Sequence, residues 1–127
     1  MSGGAPIPHF PSPAQIDAYG NGGFRFADMS HRGSLLCLPD GIWAWDVAIP
    51  DRVDRLSLAC VIAQAERIDT LILGTGSDVW IAPQALRTEL RNSKIVLDTM
   101  QTGPAIRTYN VMLNEGRRVA AALIAVS

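Results

Sequence analysis

From Thr70 onward the chain alternates short apolar runs with helical stretches, and this alternation most narrows what it can fold into. Thr70-Leu71-Ile72-Leu73 is a continuous apolar run, the pattern of a strand buried on both faces. Gly74-Thr75-Gly76-Ser77-Asp78 follows as a loop, and Pro83 opens the first turn of a helix over Gln84 to Asn92. Lys94 to Leu97 is a second buried strand, which Asp98 to Gln101 leave. Thr102 is placed to cap a third helix, with Pro104 in its first turn and Gly116 at its end. Arg118 to Val126 reads as the last strand. Strand, helix, strand, helix, strand requires crossover connections and therefore a largely parallel arrangement.

The first half has a different rhythm. Ile16 and Ala18, then Phe24 and Phe26, mark short strands around the turn Gly20-Asn21-Gly22-Gly23, whose residues accept positive φ. Gly33 to Pro39 is another strand, Pro39-Asp40-Gly41 reverses it, and Ile42-Trp43-Ala44-Trp45 alternates again. Pro50-Asp51 then offers a helix start, with Asp51 as N-cap. Leu58, Val61, Ile62 and Ala65 recur at helical spacing, widened by Leu56, Ala59 and Cys60. The expected fold is a single α/β domain over residues 15–127: an N-terminal antiparallel meander followed by β-α-β-α-β, with helices on at least one face of a mixed central sheet. Residues 1–14 hold Pro6, Pro8, Pro11 and Pro13 and read as a flexible or extended tail, with a docking peptide as the less favoured alternative.

Charge and composition exclude several roles. Eleven basic against twelve acidic residues leave no basic footprint for nucleic acid and no polybasic anchor. The apolar run Val119 to Val126 is too short to span a bilayer, so stable membrane insertion is not expected. The start Met1-Ser2-Gly3-Gly4 lacks the basic and apolar regions of a secretory signal. A soluble, reducing, cytoplasmic setting fits these features. Cys37 and Cys60 each sit in an apolar stretch and read as buried thiols, without metal or redox spacing.

A catalytic set is not found. His9 lies in the tail and His31 at the start of a strand, so neither is placed to serve a nucleophile. No cluster has metal-ligand spacing, and no metal or cofactor is expected. Asp78 and Asp98 are the carboxylate pair nearest the loops of interest. Trp43 and Trp45 share a strand face; one reads as core, and the other is open to an interface role.

The suggestive local feature is Gly74-Thr75-Gly76 after a strand. A dinucleotide fingerprint needs a third glycine where Val79 stands, and a phosphate loop needs a lysine and a hydroxyl that do not follow. The topology is more informative. If strands 70–73 and 94–97 are parallel, the loops leaving them, Gly74 to Asp78 and Asp98 to Gly103, share one rim. Ligands of open α/β sheets collect at such a rim. The second loop ends at a helix start with unpaired amides. Gly74, Thr75, Gly76, Ser77, Thr102, Gly103, Arg107 and Asn110 are therefore the candidate ligand-binding residues, suited to a small anion. The competing reading pairs Arg107 with Asp98 or Asp78 and uses Asn110 to tie down a loop.

Several segments together carry a resemblance. They are Tyr19-Gly20-Asn21-Gly22-Gly23-Phe24-Arg25-Phe26, Gly33-Ser34-Leu35-Leu36 with Trp45 beyond its turn, and Leu71-Ile72-Leu73-Gly74-Thr75-Gly76. The stretches Thr102-Gly103-Pro104-Ala105-Ile106-Arg107-Thr108-Tyr109-Asn110-Val111-Met112-Leu113 and Gly116-Arg117-Arg118-Val119-Ala120-Ala121-Ala122-Leu123 complete the series. The chain resembles the Mth-type domain-of-unknown-function family over residues 15–127. Eukaryotic relatives in that family include mitochondrial complex I assembly factor three and an adipogenesis-associated protein. The resemblance implies a three-layer mixed fold and a non-enzymatic binding or assembly role, with a protein as partner.

Overall fold

The structure, a computed structural model, describes residues 8–127. Among these residues nine strands and three α-helices follow in order: β1 Pro8–Phe10, β2 Ala18–Gly20, β3 Gly23–Phe26, β4 Met29–Arg32, β5 Ser34–Leu38, β6 Gly41–Trp45, α1 Ala59–Ala63, β7 Thr70–Gly74, α2 Gln84–Asn92, β8 Val96–Met100, α3 Thr102–Asn114 and β9 Val119–Leu123. Six strands form one sheet in the order β1-β6-β5-β9-β7-β8, and β2-β3-β4 form a second. β7 runs parallel to both β8 and β9, as the alternation of strands and helices requires. β9 joins β5 antiparallel and carries the sheet on into the β5–β6 hairpin.

The central sheet separates two cores. Leu71, Leu73, Ala120 and Ala122 point to one side, where they meet Leu58, Val61, Leu86 and Leu90 from α1, α2 and the segment before α1. Ile72, Ala121 and Leu123 point to the other side, where Ala105, Ile106 and Tyr109 of α3 and Phe24 and Phe26 of the small sheet cover them. This is the three-layer mixed fold that the family resemblance implies. The alanines of β9, fully buried, let both layers approach the middle of the sheet.

Several local expectations change. The meander belongs to two sheets, because the chain leaves β4 through Gly33 (φ +96) and β5 joins the central sheet instead. The long helix from Asp51 is absent. Its span holds 3₁₀ turns at Pro50–Arg52 and Ala65–Arg67 and the single five-residue α1. Asp54 and Ser57 explain the break: Ser57 N donates to Asp54 Oδ1, Asp54 N donates to Ser57 Oγ, and Ser57 Oγ donates to Asp54 O. The pair closes a new turn with Asp54 in the N-cap position, where Leu58 N donates to Asp54 O, and so stops any helix running in from Asp51. Trp45 Nε1 also claims the Ser57 carbonyl, a group that helix would use. Within the proline-rich run, Pro8–Phe10 pairs with β6 as an edge strand, a position that tolerates a residue without N–H. Residues 8–10 are therefore held to the domain, whereas residues 1–7 of the expected tail lie outside the described residues.

Candidate functional site

The parallel pairing sets Gly74 opposite Met100, so β7 and β8 end at the same rim. Leaving β7, the chain meets the start of α3 at very short range. A Cβ on Gly74 would lie 3.1 Å from both Cα and Oγ1 of Thr102, so glycine permits this approach. Gly76, with φ +90, turns the loop back. Two reciprocal bonds then lock loop to helix: Thr102 N donates to Gly76 O at 3.0 Å, and Gly76 N donates to Thr102 Oγ1 at 2.9 Å. The same hydroxyl donates to Ile124 O at 2.7 Å. Thr75 N donates to Met100 O, Thr75 Oγ1 to Asp78 O, and Gln101 Nε2 to Ser77 O.

Six of the expected residues thus come together at the rim: Gly74, Thr75, Gly76, Ser77, Thr102 and Gly103. Their polar groups are mostly spent on one another. Thr102 does not cap α3; it is the first helical residue, after the N-cap Gln101, and its hydroxyl faces the loop and β9. Pro83 likewise precedes α2 as its N-cap and does not form its first turn. Over Gly103 lies the Tyr19 side chain from β2, whose hydroxyl would collide with any Cβ there. Ser77 and Arg107 are exposed, and Arg107 makes no hydrogen bond or ion pair among the described residues. Asn110 stands apart from the rim. Its Nδ2 donates to Ile16 O at 2.9 Å and its Oδ1 accepts from Ile16 N at 3.0 Å, a two-sided clamp on the segment before β2. The loop-tying role weighed for Asn110 is what the structure shows.

Other candidates are also resolved. Trp45 is core, whereas Trp43 is half-buried and donates Nε1–H to Asp40. Cys37 is fully buried and hydrogen-bonded by the Tyr109 hydroxyl. Burial pushes its thiol up to about 12, and burial beside that thiol raises Tyr109 as well. Cys60 is half-buried on the other side of the sheet, so the two thiols cannot pair. No group of three or more His, Cys, Asp or Glu able to hold a metal occurs among the described residues.

One surface escaped sequence reasoning. Leu56, Ala59 and Ile62, which periodicity assigned to a buried stripe, line with Ala63 and Arg55 an open groove of about 560 Å³. Leu56 is 83% exposed. The broken helix explains the error: once Asp54 and Ser57 close their own turn, Leu56 is carried outward. Arg55 is tied to Glu89 of α2 at 3.3 Å along the rim of this groove.

Comparison with known proteins places these features in context. The family model described as "Protein of unknown function (DUF498/DUF598)" matches residues 16–124. The NMR structure of the Rpa2829 protein from Rhodopseudomonas palustris is 66% identical, with a TM-score of 0.84 over 99% of this chain and 93% of that one. A crystal structure described as an outer membrane protein from Bartonella henselae is 50% identical, with a TM-score of 0.90 over 94% and 100%. A Mth938-like domain from Bordetella pertussis shares the fold at 22% identity, with a TM-score of 0.77 over 98% and 92%. The mouse protein named NADH dehydrogenase [ubiquinone] 1 alpha subcomplex assembly factor 3 is 29% identical over 91% of this chain, which spans 62% of that relative's length.

Proposed function

The chain belongs to the family of unknown function DUF498/DUF598, and from that premise we propose that it is a non-enzymatic binding module serving assembly of a respiratory NADH dehydrogenase. The assembly-factor relatives supply the process, and the surface supplies the means. A single observation carries the reading: Leu56 stands 83% exposed at an apolar groove with Ala59, Ile62 and Ala63. Leaving a leucine in water forgoes roughly 2 kcal/mol of burial, which a partner recovers on docking. None of the described helices is long and apolar enough to cross a membrane. A cytoplasmic setting is part of the same proposal.

The test is genetic and biochemical. In the source organism, loss of the gene is expected to deplete intact NADH dehydrogenase on native gels. Wild type should restore it, and Leu56→Asp should not, at equal protein level. A normal amount of intact complex in the deletion strain ends this reading.

A second reading rests on Arg107, in the second turn of α3, exposed and without a hydrogen bond or ion pair among the described residues. On this reading the Arg107 guanidinium binds a small anion at the surface of α3. Phosphate should then raise the melting temperature of wild type and leave Arg107→Ala unmoved; equal responses dismiss it.

A further inference from the structure

Among the described residues the outer face of the small sheet is exposed, and its residues are unlike those beneath it. Opposed residues share a face, so Ala18, Arg25 and Ser30 form one row and Gly20, Gly23 and Arg32 the next. Phe24 and Phe26, at the alternate positions of β3, point into the core. These two outward rows line a cavity of about 410 Å³. Its floor is Ala18, Gly20 and Gly23; a Cβ on Gly23 would collide with the His31 carbonyl of the neighbouring strand. Its flanks are Arg25, Arg32 and Ser30, and no carboxylate of the described residues lines it.

The charge here is local and uncompensated. The chain as a whole carries a formal charge of −1. Arg55, Arg117 and Arg118 each meet an acidic partner, Glu89, Glu115 and Asp69 respectively. Arg25 and Arg32 meet none among the described residues. A guanidinium presents a planar fork of donors that matches a carboxylate. Arg25 stands on β3 opposite Ser30, and Arg32 is two residues beyond Ser30 on β4. Such diagonal neighbours are roughly 7–8 Å apart. Alternate side chains of an extended strand, at about 3.3 Å per residue, are about 6.6 Å apart. The two spacings differ by about 1 Å, which the long arginine side chains can span.

We infer that the outer face of β2, β3 and β4 docks an extended acidic segment of a partner protein. Carboxylates on alternate residues of that segment meet Arg25 and Arg32. The glycine floor lets the segment's backbone lie against the sheet, and Ser30 offers a hydroxyl to it. This face lies across the central sheet from the Leu56 groove and stands or falls independently of it.

Fluorescence anisotropy on the full chain, at low salt, tests the assignment with three labelled peptides: alternating Glu-Ser, alternating Lys-Ser, and a Glu-Glu-Ser-Ser repeat of equal charge. The alternating Glu peptide should bind best and weaken steeply toward about 300 mM salt. Arg25→Ala with Arg32→Ala should weaken it about tenfold, two exposed charge pairs' worth. In the wild type, peptide should shift the amide resonances of Gly20, Gly23 and Ser30, which decides the matter even if the double variant fails to fold. Unshifted amides, or unchanged affinity in a folded double variant, would overturn the site. Equal binding of the Glu-Glu-Ser-Ser peptide would overturn the extended register. Displacement of the peptide by stoichiometric inorganic phosphate would overturn the peptide occupant in favour of a lone anion.

Discussion

Thr102 holds three segments together with one hydroxyl. It is 0% exposed, accepts from the Gly76 amide and donates to the Ile124 carbonyl. Thr102→Val keeps the shape and leaves both backbone groups buried without that partner. Each such loss costs about 1–3 kcal/mol, so urea unfolding should register a fall of roughly 2–4 kcal/mol. Cys37 gives a second residue-scale expectation, with a sign that burial dictates. Its thiol rises from 9.0 to about 12 on folding. Above pH 9 the unfolded chain releases this proton while the folded chain retains it, so stability falls as pH climbs from 9 toward 12. The slope approaches about 1.4 kcal/mol per pH unit. Cys37→Ala lacks this slope, so its stability gap to wild type should narrow between pH 8 and pH 10 in paired unfolding curves.

At the scale of elements, α3 links the rim to the small sheet. Gly116 (φ +73) ends it in a Schellman turn, with Gly116 N donating to Leu113 O and Arg117 N to Met112 O. Asn110 binds Ile16 from both sides, whereas Arg107, one turn earlier, is exposed. Asn110→Ala should therefore cost about 1–2 kcal/mol, and Arg107→Ala less than about 0.5 kcal/mol, in thermal or urea unfolding. The order β7, α2, β8, α3, β9 was legible because continuous apolar runs and helical stretches differ in period. The β3–β4 hairpin was not. Ala27 and Asp28 both take positive φ (49° and 61°), a turn that Asn-Gly usually signals. Period alone does not reveal that Asp54 and Ser57 cap a new turn, which interrupts the run from Asp51. At the rim, the meeting of loop and helix followed from parallel strands. Its closure did not, since Tyr19 arrives over Gly103 from a distant strand.

For the whole molecule, the three layers were readable and the division of labour between surfaces was not. Burial by periodicity placed Leu56 inside, and the structure places it, exposed, on the wall of an open groove. Leu56→Asp should then leave the fold intact, within about 0.5 kcal/mol by urea unfolding, while failing in complex assembly. A loss of several kcal/mol would recast Leu56 as a folding residue. The small sheet was legible only as strands; that its outer face gathers two arginines over glycine depends on cross-strand register, which turn geometry sets.

The central sheet is also a wall with one thiol on each side. Cys37 is enclosed with α3 and the aromatic hairpin, and Cys60 rests half-covered among α1 and its neighbours. Alkylation timed at each thiol would act as a separate clock for each compartment, reporting which layer loosens first without an engineered reporter residue.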